Sequence, residues 1–139
     1  MESHTGLGTI LVVEDSPSVR RMVCTMLTQT GYHCLEACDG AEALRLLEHA
    51  GDVRLVLTDV IMPNMDGAEL ARQLSRIRPE LRILFMSGYV DDDLVRSLGK
   101  AAGLFLSKPF TASALMDRVR QTLSRPWMGI GERTLMRSA

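Results

Sequence analysis

Short apolar runs rich in β-branched residues recur roughly every 25 residues along the chain, and the stretches between them carry apolar positions at helical spacing. That alternation predicts a parallel sheet crossed by helices. The first run, Ile10-Leu11-Val12-Val13, ends on Glu14-Asp15. Ser16 follows as a helix cap with Pro17 at the first helical position. Val19, Met22, Val23, Met26 and Leu27 then fall on one face, with Arg20, Arg21 and Gln29 pointing away, and Gly31 is a helix stop. The second strand, His33 to Ala37, mixes polar and apolar residues as an edge strand does. Asp39-Gly40-Ala41-Glu42 is a capping signature for a second helix, with Leu44 and Leu47 inward and Gly51 beyond its end.

The third run, Leu55-Val56-Leu57-Thr58, is β-branched and Leu-rich, as expected of a strand covered on both faces. It ends on Asp59 and turns through Val60 to Asp66. Asp66-Gly67-Ala68-Glu69 repeats the capping pattern, Leu70, Leu74 and Ile77 form the next stripe, and Pro79 ends it. A fourth strand, Arg82 to Met86, terminates at Ser87-Gly88-Tyr89. A short helix is expected from Asp91 to about Leu98, with Asp91, Asp92 and Asp93 as solvated first-turn acids rather than metal ligands. The fifth strand, Gly103 to Ser107, leads into Lys108-Pro109-Phe110, and Thr111 caps a last helix whose inner face is Leu115, Val119 and Leu123. From Arg125-Pro126 the periodicity stops. The organisation expected is a flexible leader over 1–8, one domain over 9–124 and a tail or linker over 125–139.

Five strand–helix units with right-handed crossovers leave few topologies. The best fit is an α/β, flavodoxin-like (βα)5 doubly wound parallel sheet of strand order 2-1-3-4-5, which leaves the mixed second strand at an edge. It also sets strands 1 and 3 side by side where the order reverses, so that Glu14, Asp15 and Asp59 converge on the rim where such sheets bind ligands. Ser87 and Lys108 end the neighbouring strands on the same rim.

Composition narrows the function classes. The 139 residues fit one compact domain, and a net charge of −1 without a Lys/Arg block offers no electrostatic footing for nucleic acid or an anionic membrane. No run approaches the ~18 apolar residues of a membrane span. The expectation is a soluble, cytoplasmic chain. Cys24, Cys34 and Cys38 show neither a disulfide framework nor zinc-ligand spacing and read as reduced and structural, and none of His4, His33 and His49 has a partner that would make it catalytic.

Taken alone, Asp59 is more often a turn former than a functional group. Three acids, a hydroxyl and a lysine at the ends of four strands are another matter. Clustered carboxylates stay ionised when a cation is near, and an all-oxygen set suits a hard ion such as Mg²⁺. A carboxylate can also be a nucleophile that forms an aspartyl phosphate, a reaction that needs positioning and positive charge around the oxygens.

At this point the sequence resembles the receiver domains of two-component response regulators, from about Thr9 to Ser124. The resemblance rests on Val12-Val13-Glu14-Asp15, on Leu57-Thr58-Asp59-Val60-Ile61-Met62-Pro63 with Asp66-Gly67, on Met86-Ser87-Gly88-Tyr89 and on Phe105-Leu106-Ser107-Lys108-Pro109-Phe110, in that order and spacing. It implies that Asp59 accepts a phosphoryl group from a histidine kinase or histidine phosphotransfer protein. It implies Mg²⁺ as cofactor, with Asp15 a direct ligand, Glu14 acting largely through water, and Asp59 and the main-chain carbonyl of Ile61 completing the protein ligands. Ser87 matches the switch hydroxyl, Lys108 the phosphate-contacting lysine, Phe105 the switch aromatic and Pro109 a proline that often follows a cis peptide bond. The family often has Tyr where Phe105 stands, and Phe lacks the hydroxyl through which partners are sometimes contacted.

The implied chemistry is self-phosphorylation and self-dephosphorylation only, not enzyme turnover. Ile61 and Tyr89, apolar and bulky beside the acceptor, imply slow hydrolysis. An aspartate-nucleophile phosphatase of the haloacid dehalogenase type would need a second Asp where Ile61 stands. A degenerate scaffold would not retain Glu14, Asp15, Asp59, Ser87 and Lys108. The surface formed by the helix after strand 4, the fifth strand and the last helix is the expected partner face. The output, the oligomeric state and the choice between a stand-alone regulator and a piece of a hybrid kinase stay open.

Overall fold

The computed structural model describes residues 6–88 and 104–124. Within them run β1 (Thr9–Val13), α1 (Pro17–Thr30), β2 (His33–Ala37), α2 (Gly40–Leu47), β3 (Val53–Asp59), α3 (Gly67–Ile77), β4 (Arg82–Ser87), β5 (Leu104–Ser107) and α4 (Ala112–Ser124). The strands form one parallel sheet in the order β2-β1-β3-β4-β5, as the sequence pattern predicts. The expected helix over Asp91 to Leu98, Tyr89, Gly103 and the tail from Arg125 lie outside the described residues. The end of the expected leader is bonded to the domain: Leu7 N–H donates to Gly31 O at 3.2 Å, and Gly8 O accepts from His33 N–H at 2.8 Å.

Alternate residues of each central strand enter opposite cores. Ile10 and Val12 of β1, Leu55 and Leu57 of β3, and Leu84 and Met86 of β4 pack under α1 and α4, against Val23, Leu27, Leu115 and Val119. Leu11, Val13 and Val56 pack on the other face, against Ala43, Leu47, Leu70 and Leu74 of α2 and α3. A strand segment with helices on both faces has no solvent side, which is why residues 10–13 of β1 and 55–57 of β3 read as unbroken apolar runs.

The helix boundaries follow local signals, with corrections. Asp39 and Asp66 cap α2 and α3, each accepting the N–H of the Glu three residues on at 2.8 Å. Thr111 Oγ1 does the same for Ala114. Ser16 sits at the start of α1, but its side chain makes no capping bond; its hydroxyl lies 3.3 Å from that of Ser18. Gly31, at φ 119°, ends α1 in the left-handed conformation that glycine adopts without penalty. The buried face of α1 is Val23, Cys24 and Leu27, rotated from the expected stripe, so Met22 is 44% exposed and Arg20 turns inward. Ile77, expected inside, is 55% exposed at the last position of α3.

The cysteine expectation is also corrected. Cys24 and Cys34 are paired as a disulfide, with Cα atoms 5.9 Å apart, and Cys38 alone is a free thiol. Their separation of ten residues carries no spacing signal. The pairing arises because α1 lies across β2 and presents Cys24 to the strand.

Candidate functional site

Parallel register brings the strand ends to one rim. Val13 pairs with Thr58, Asp59 with Met86 and Ser87 with Ser107, so Glu14, Asp59, Ser87 and Lys108 follow one another along the C-terminal edge. Asp59 is the last residue of β3 and is mostly buried. Its main chain is fixed from both sides: Thr58 Oγ1 donates to Asp59 O at 2.9 Å, and Val60 N–H donates to Met86 O at 3.1 Å.

The loop after it returns through Asn64, at φ 72°, to the start of α3, where Gly67 N–H donates to Val60 O at 2.7 Å. A Cβ on Gly67 would lie 2.5 Å from Asp59 O, so only glycine permits this approach.

Lys108 joins the acids. Its ammonium donates to Glu14 Oε1 at 2.7 Å and to Asp59 Oδ2 at 2.8 Å, both charge-assisted bonds. Glu14 is 2% exposed, and its second oxygen accepts the Ser16 N–H at 3.0 Å. Asp15 is exposed beside it, and carboxylate oxygens of Glu14, Asp15 and Asp59 all lie within 4.8 Å of one another. Asp59 Oδ1 accepts Ile61 N–H at 3.3 Å, while the Ile61 side chain is 66% exposed at the mouth of the cluster.

Burial pushes the Glu14 carboxyl above its ordinary value; bonds from Lys108 and Ser16 pull it back, and the charge of Asp59 adds to the rise. Burial lowers Lys108, but the bonds to Asp59 and Glu14 outweigh it and leave the ammonium harder to deprotonate than usual. The donors are all oxygens, with no imidazole or thiolate among them, and that set fits a hard cation.

The model of the response regulator receiver domain matches residues 10–120. The chain belongs to the receiver domain family of two-component response regulators. Phosphoryl acceptance is the role of this domain, and receiver domains generally use Mg²⁺ at the acidic pocket. The receiver is 36% identical over 120 residues to the response regulator receiver protein CpdR of Brucella abortus, covering 82% of this chain and 95% of CpdR. It is 39% identical over 123 residues to the sensor kinase CckA of the same organism, covering 87% of this chain but 13% of CckA. Among solved structures it resembles the receiver domain of the hybrid histidine kinase CckA, at a TM-score of 0.70 and 37% identity, covering 84% of this chain and all of that domain.

The remaining residues singled out in the receiver's sequence fall as follows. Ser87 is buried at the end of β4, and its carbonyl accepts Lys108 N–H at 2.9 Å. Phe105 on β5 pairs in register with Phe85, their rings 5.6 Å apart and tilted by 30°. The Lys108–Pro109 peptide is cis. No helix among the described residues is long and apolar enough to cross a membrane.

Sequence reasoning missed three groups around the site. Gly67 reads in the sequence as part of a cap, although its N–H also donates to Val60 O and its lack of a side chain lets α3 approach Asp59 O. Thr58 reads in the sequence as a strand residue, although its hydroxyl donates to Asp59 O. Arg20 faces solvent in the helical pattern of the sequence; its guanidinium instead donates to Glu14 O at 2.8 Å and to Glu36 Oε1 at 3.1 Å.

Proposed function

We infer that Asp59 is the phosphoryl acceptor of this receiver and that a histidine kinase or histidine phosphotransfer protein is the donor. A carboxylate oxygen of Asp59 attacks phosphorus. The P–N bond of the donor phosphohistidine breaks as the new P–O bond forms, and the donor nitrogen keeps the electron pair. The observation that carries this reading is the Asp59 carboxylate held by Lys108 at 2.8 Å within a cluster of further acids at the rim.

Glu14, Asp15, Asp59 and the carbonyl of Ile61 are the groups we assign to Mg²⁺. Oxygens sharing one Mg²⁺ at about 2.1 Å lie about 3 Å apart when adjacent and about 4.2 Å when opposite. Carboxylate atoms within 4.8 Å of one another need little movement to meet that requirement. The ion, when bound, neutralises charge on the phosphoryl oxygens. Lys108 supplies a second positive charge, and the exposed Ile61 side chain screens the acyl phosphate from water, which slows its hydrolysis. The chemistry is this self-phosphorylation and its reversal by water, carried out in the cytoplasm.

Phosphorylation then acts as a switch. The new oxygens draw the Ser87 hydroxyl and Lys108 ammonium toward Asp59. Phe105, on the adjacent strand, turns into the space that Ser87 leaves and alters the surface carried by β5 and α4. A shift from 1:99 to 99:1 takes about 5.5 kcal/mol, more than one neutral hydrogen bond supplies, so the response is partial.

The test is intact-mass measurement after acetyl phosphate and Mg²⁺. One phosphate adduct is expected on the parent and none on Asp59→Asn, since an amide cannot form the acyl phosphate. Equal labelling of the variant removes Asp59 from the role.

A further inference from the structure

We propose that Arg20 is a positioning residue for the acidic pocket: from the first turn of α1 it holds the main-chain carbonyl of Glu14 and thereby aims Asp15 at the space beside Asp59. This role rests on reading Glu14, Asp15 and Asp59 as cation ligands, as above.

The Arg20 side chain is mostly buried. Nη1 donates to Glu14 O at 2.8 Å and Nε donates to Glu36 Oε1 at 3.1 Å, so the planar guanidinium is fixed at one edge by β2 and directs its other edge at the peptide after Glu14. Because that peptide is planar, fixing the Glu14 carbonyl fixes the Asp15 nitrogen and the direction in which the chain leaves it. The rest of Glu14 is already committed. Its N–H donates to Ala37 O at 3.1 Å, and its carboxylate oxygens take Ser16 N–H and the Lys108 ammonium. Without Arg20 the Glu14–Asp15 peptide keeps the Ala37 anchor upstream and the Ser16 anchor downstream but loses the bond at its own carbonyl.

The direction of the guanidinium matters as much as its presence. An arginine paired with Asp15 itself would compete with a cation for the carboxylate. Aimed at a carbonyl, it leaves the Asp15 oxygens available within the 4.8 Å cluster. A lysine cannot reproduce this, since one ammonium lacks the two divergent donors that reach Glu14 and Glu36 together.

The rival explanation is that Arg20 fastens α1 to β2 through Glu36 and affects the pocket only by holding the helix down. The protein carries its own control for that. Cys24 lies one turn along α1 from Arg20, and Cys34 lies two residues along β2 from Glu36; their disulfide fastens the same seam without touching Glu14.

The experiment uses the full chain with Mg²⁺ alone as probe. The dissociation constant is read from amide NMR titration, the metal-free melting temperature from circular dichroism, and the Asp15 amide shift from the metal-free spectrum. Arg20→Met is expected to weaken Mg²⁺ about tenfold, the loss typical of removing a group that orients a metal ligand. It should also move the Asp15 amide signal in the absence of metal. Arg20→Lys should lie between it and the parent. The double variant Cys24→Ser/Cys34→Ser should lower the melting temperature and leave Mg²⁺ affinity within about twofold of the parent, since it changes no group near Asp15. An unchanged affinity in Arg20→Met, or an equal loss in the double serine variant, overturns the positioning role while leaving the cation site in place. A parent that binds no Mg²⁺ overturns the site and this role together. If Arg20→Met does not fold, Arg20→Lys carries the comparison: parent-like affinity overturns the role, and weakened affinity with a shifted Asp15 amide supports it.

Discussion

Lys108 is the test of how the pocket balances its charge. In Lys108→Met the aliphatic stem stays and the ammonium goes, leaving Glu14 and Asp59 without the donor that lies 2.7 and 2.8 Å from them. Stranding buried charge by deleting one partner costs about 3–5 kcal/mol. The Lys108 side chain is 23% exposed and the pocket opens on the rim, so screening places the loss at the low end, about 3 kcal/mol at pH 8 without metal.

The loss depends on pH through Glu14. Burial raises its carboxyl above the ordinary 4.5 even with Lys108 pulling it down. An acid raised in the folded state destabilises the fold when ionised. That cost is fully present above its folded value and fades as pH falls toward the unfolded value of 4.5. Removing the ammonium widens the window upward, so the variant recovers stability on acidification over a broader range than the parent. Lys108 itself is raised from 10.5, so its own contribution is constant across this range and is lost only in alkali, as pH rises through its folded value. Urea unfolding with chelator should therefore show a deficit of about 3 kcal/mol at pH 8 that is smaller at pH 5. Adding Mg²⁺ at pH 8 should stabilise the variant more than the parent, because the metal replaces the missing cation. A deficit equal at both pH values, with an unchanged gain from Mg²⁺, would refute the account.

The other expectations concern the ligands, the support and the switch. Mg²⁺ at 100 times its dissociation constant should stabilise the parent by about 2.7 kcal/mol, and Asp15→Asn should abolish that gain while stabilising the metal-free protein; thermal melts with and without metal check both. Gly67→Ala should cost at least about 1 kcal/mol in urea unfolding and slow acetyl phosphate labelling, because its Cβ would stand 2.5 Å from Asp59 O; parent-like labelling would show that the peptide is not held by this contact. Beryllofluoride, standing in for the phosphoryl group, should perturb NMR signals around Asp59 and along β5, and Ser87→Ala should keep the first set and lose most of the second. Equal distant changes in both proteins would remove Ser87 as the coupling element.

The strand order was legible because burial on both faces leaves a mark that no single residue carries. Leu11 and Ile10 are neighbours in sequence and lie in different cores, so both must be apolar, and the polar residues of β2 then identify the edge. Helix orientation was less legible. Val19, Met22, Val23, Met26 and Leu27 fit a helical face, yet rotating that face slightly exchanges Met22 for Cys24. The exchange is favoured by what α1 lies against, Cys34 and Glu36 of β2, and those partners come from a strand outside the helical window. The Cys24–Cys34 pair and the inward turn of Arg20 were hidden for that one reason. Ile77 fails differently: it is the last position of α3, where the helix ends at Arg78, and periodicity does not say how far along a helix the packed face extends.

The acids, the hydroxyl and the lysine were legible because each ends a strand, and parallel strands deliver their ends to one rim. Their bonding was not, since the reach of Lys108 to Glu14 spans the sheet from β5 to β1. That reach changes the electrostatic reading of the site. From sequence alone the carboxylates need an outside cation to remain ionised; in the structure Lys108 serves two of them, so the fold does not require the metal to assemble. One ammonium among three carboxylates still leaves two negative charges, which a divalent ion cancels and a monovalent one does not. On the proposed reading, a phosphoryl group on Asp59 would replace a single negative charge with nearly two. The balance would then return to negative even with a divalent ion bound, and the cation already beside the acceptor is Lys108. On the reading proposed above, its bond to Asp59 would become a bond to phosphoryl oxygen, and its main-chain N–H, bonded to Ser87 O at 2.9 Å, would carry that displacement to the residue at the end of β4.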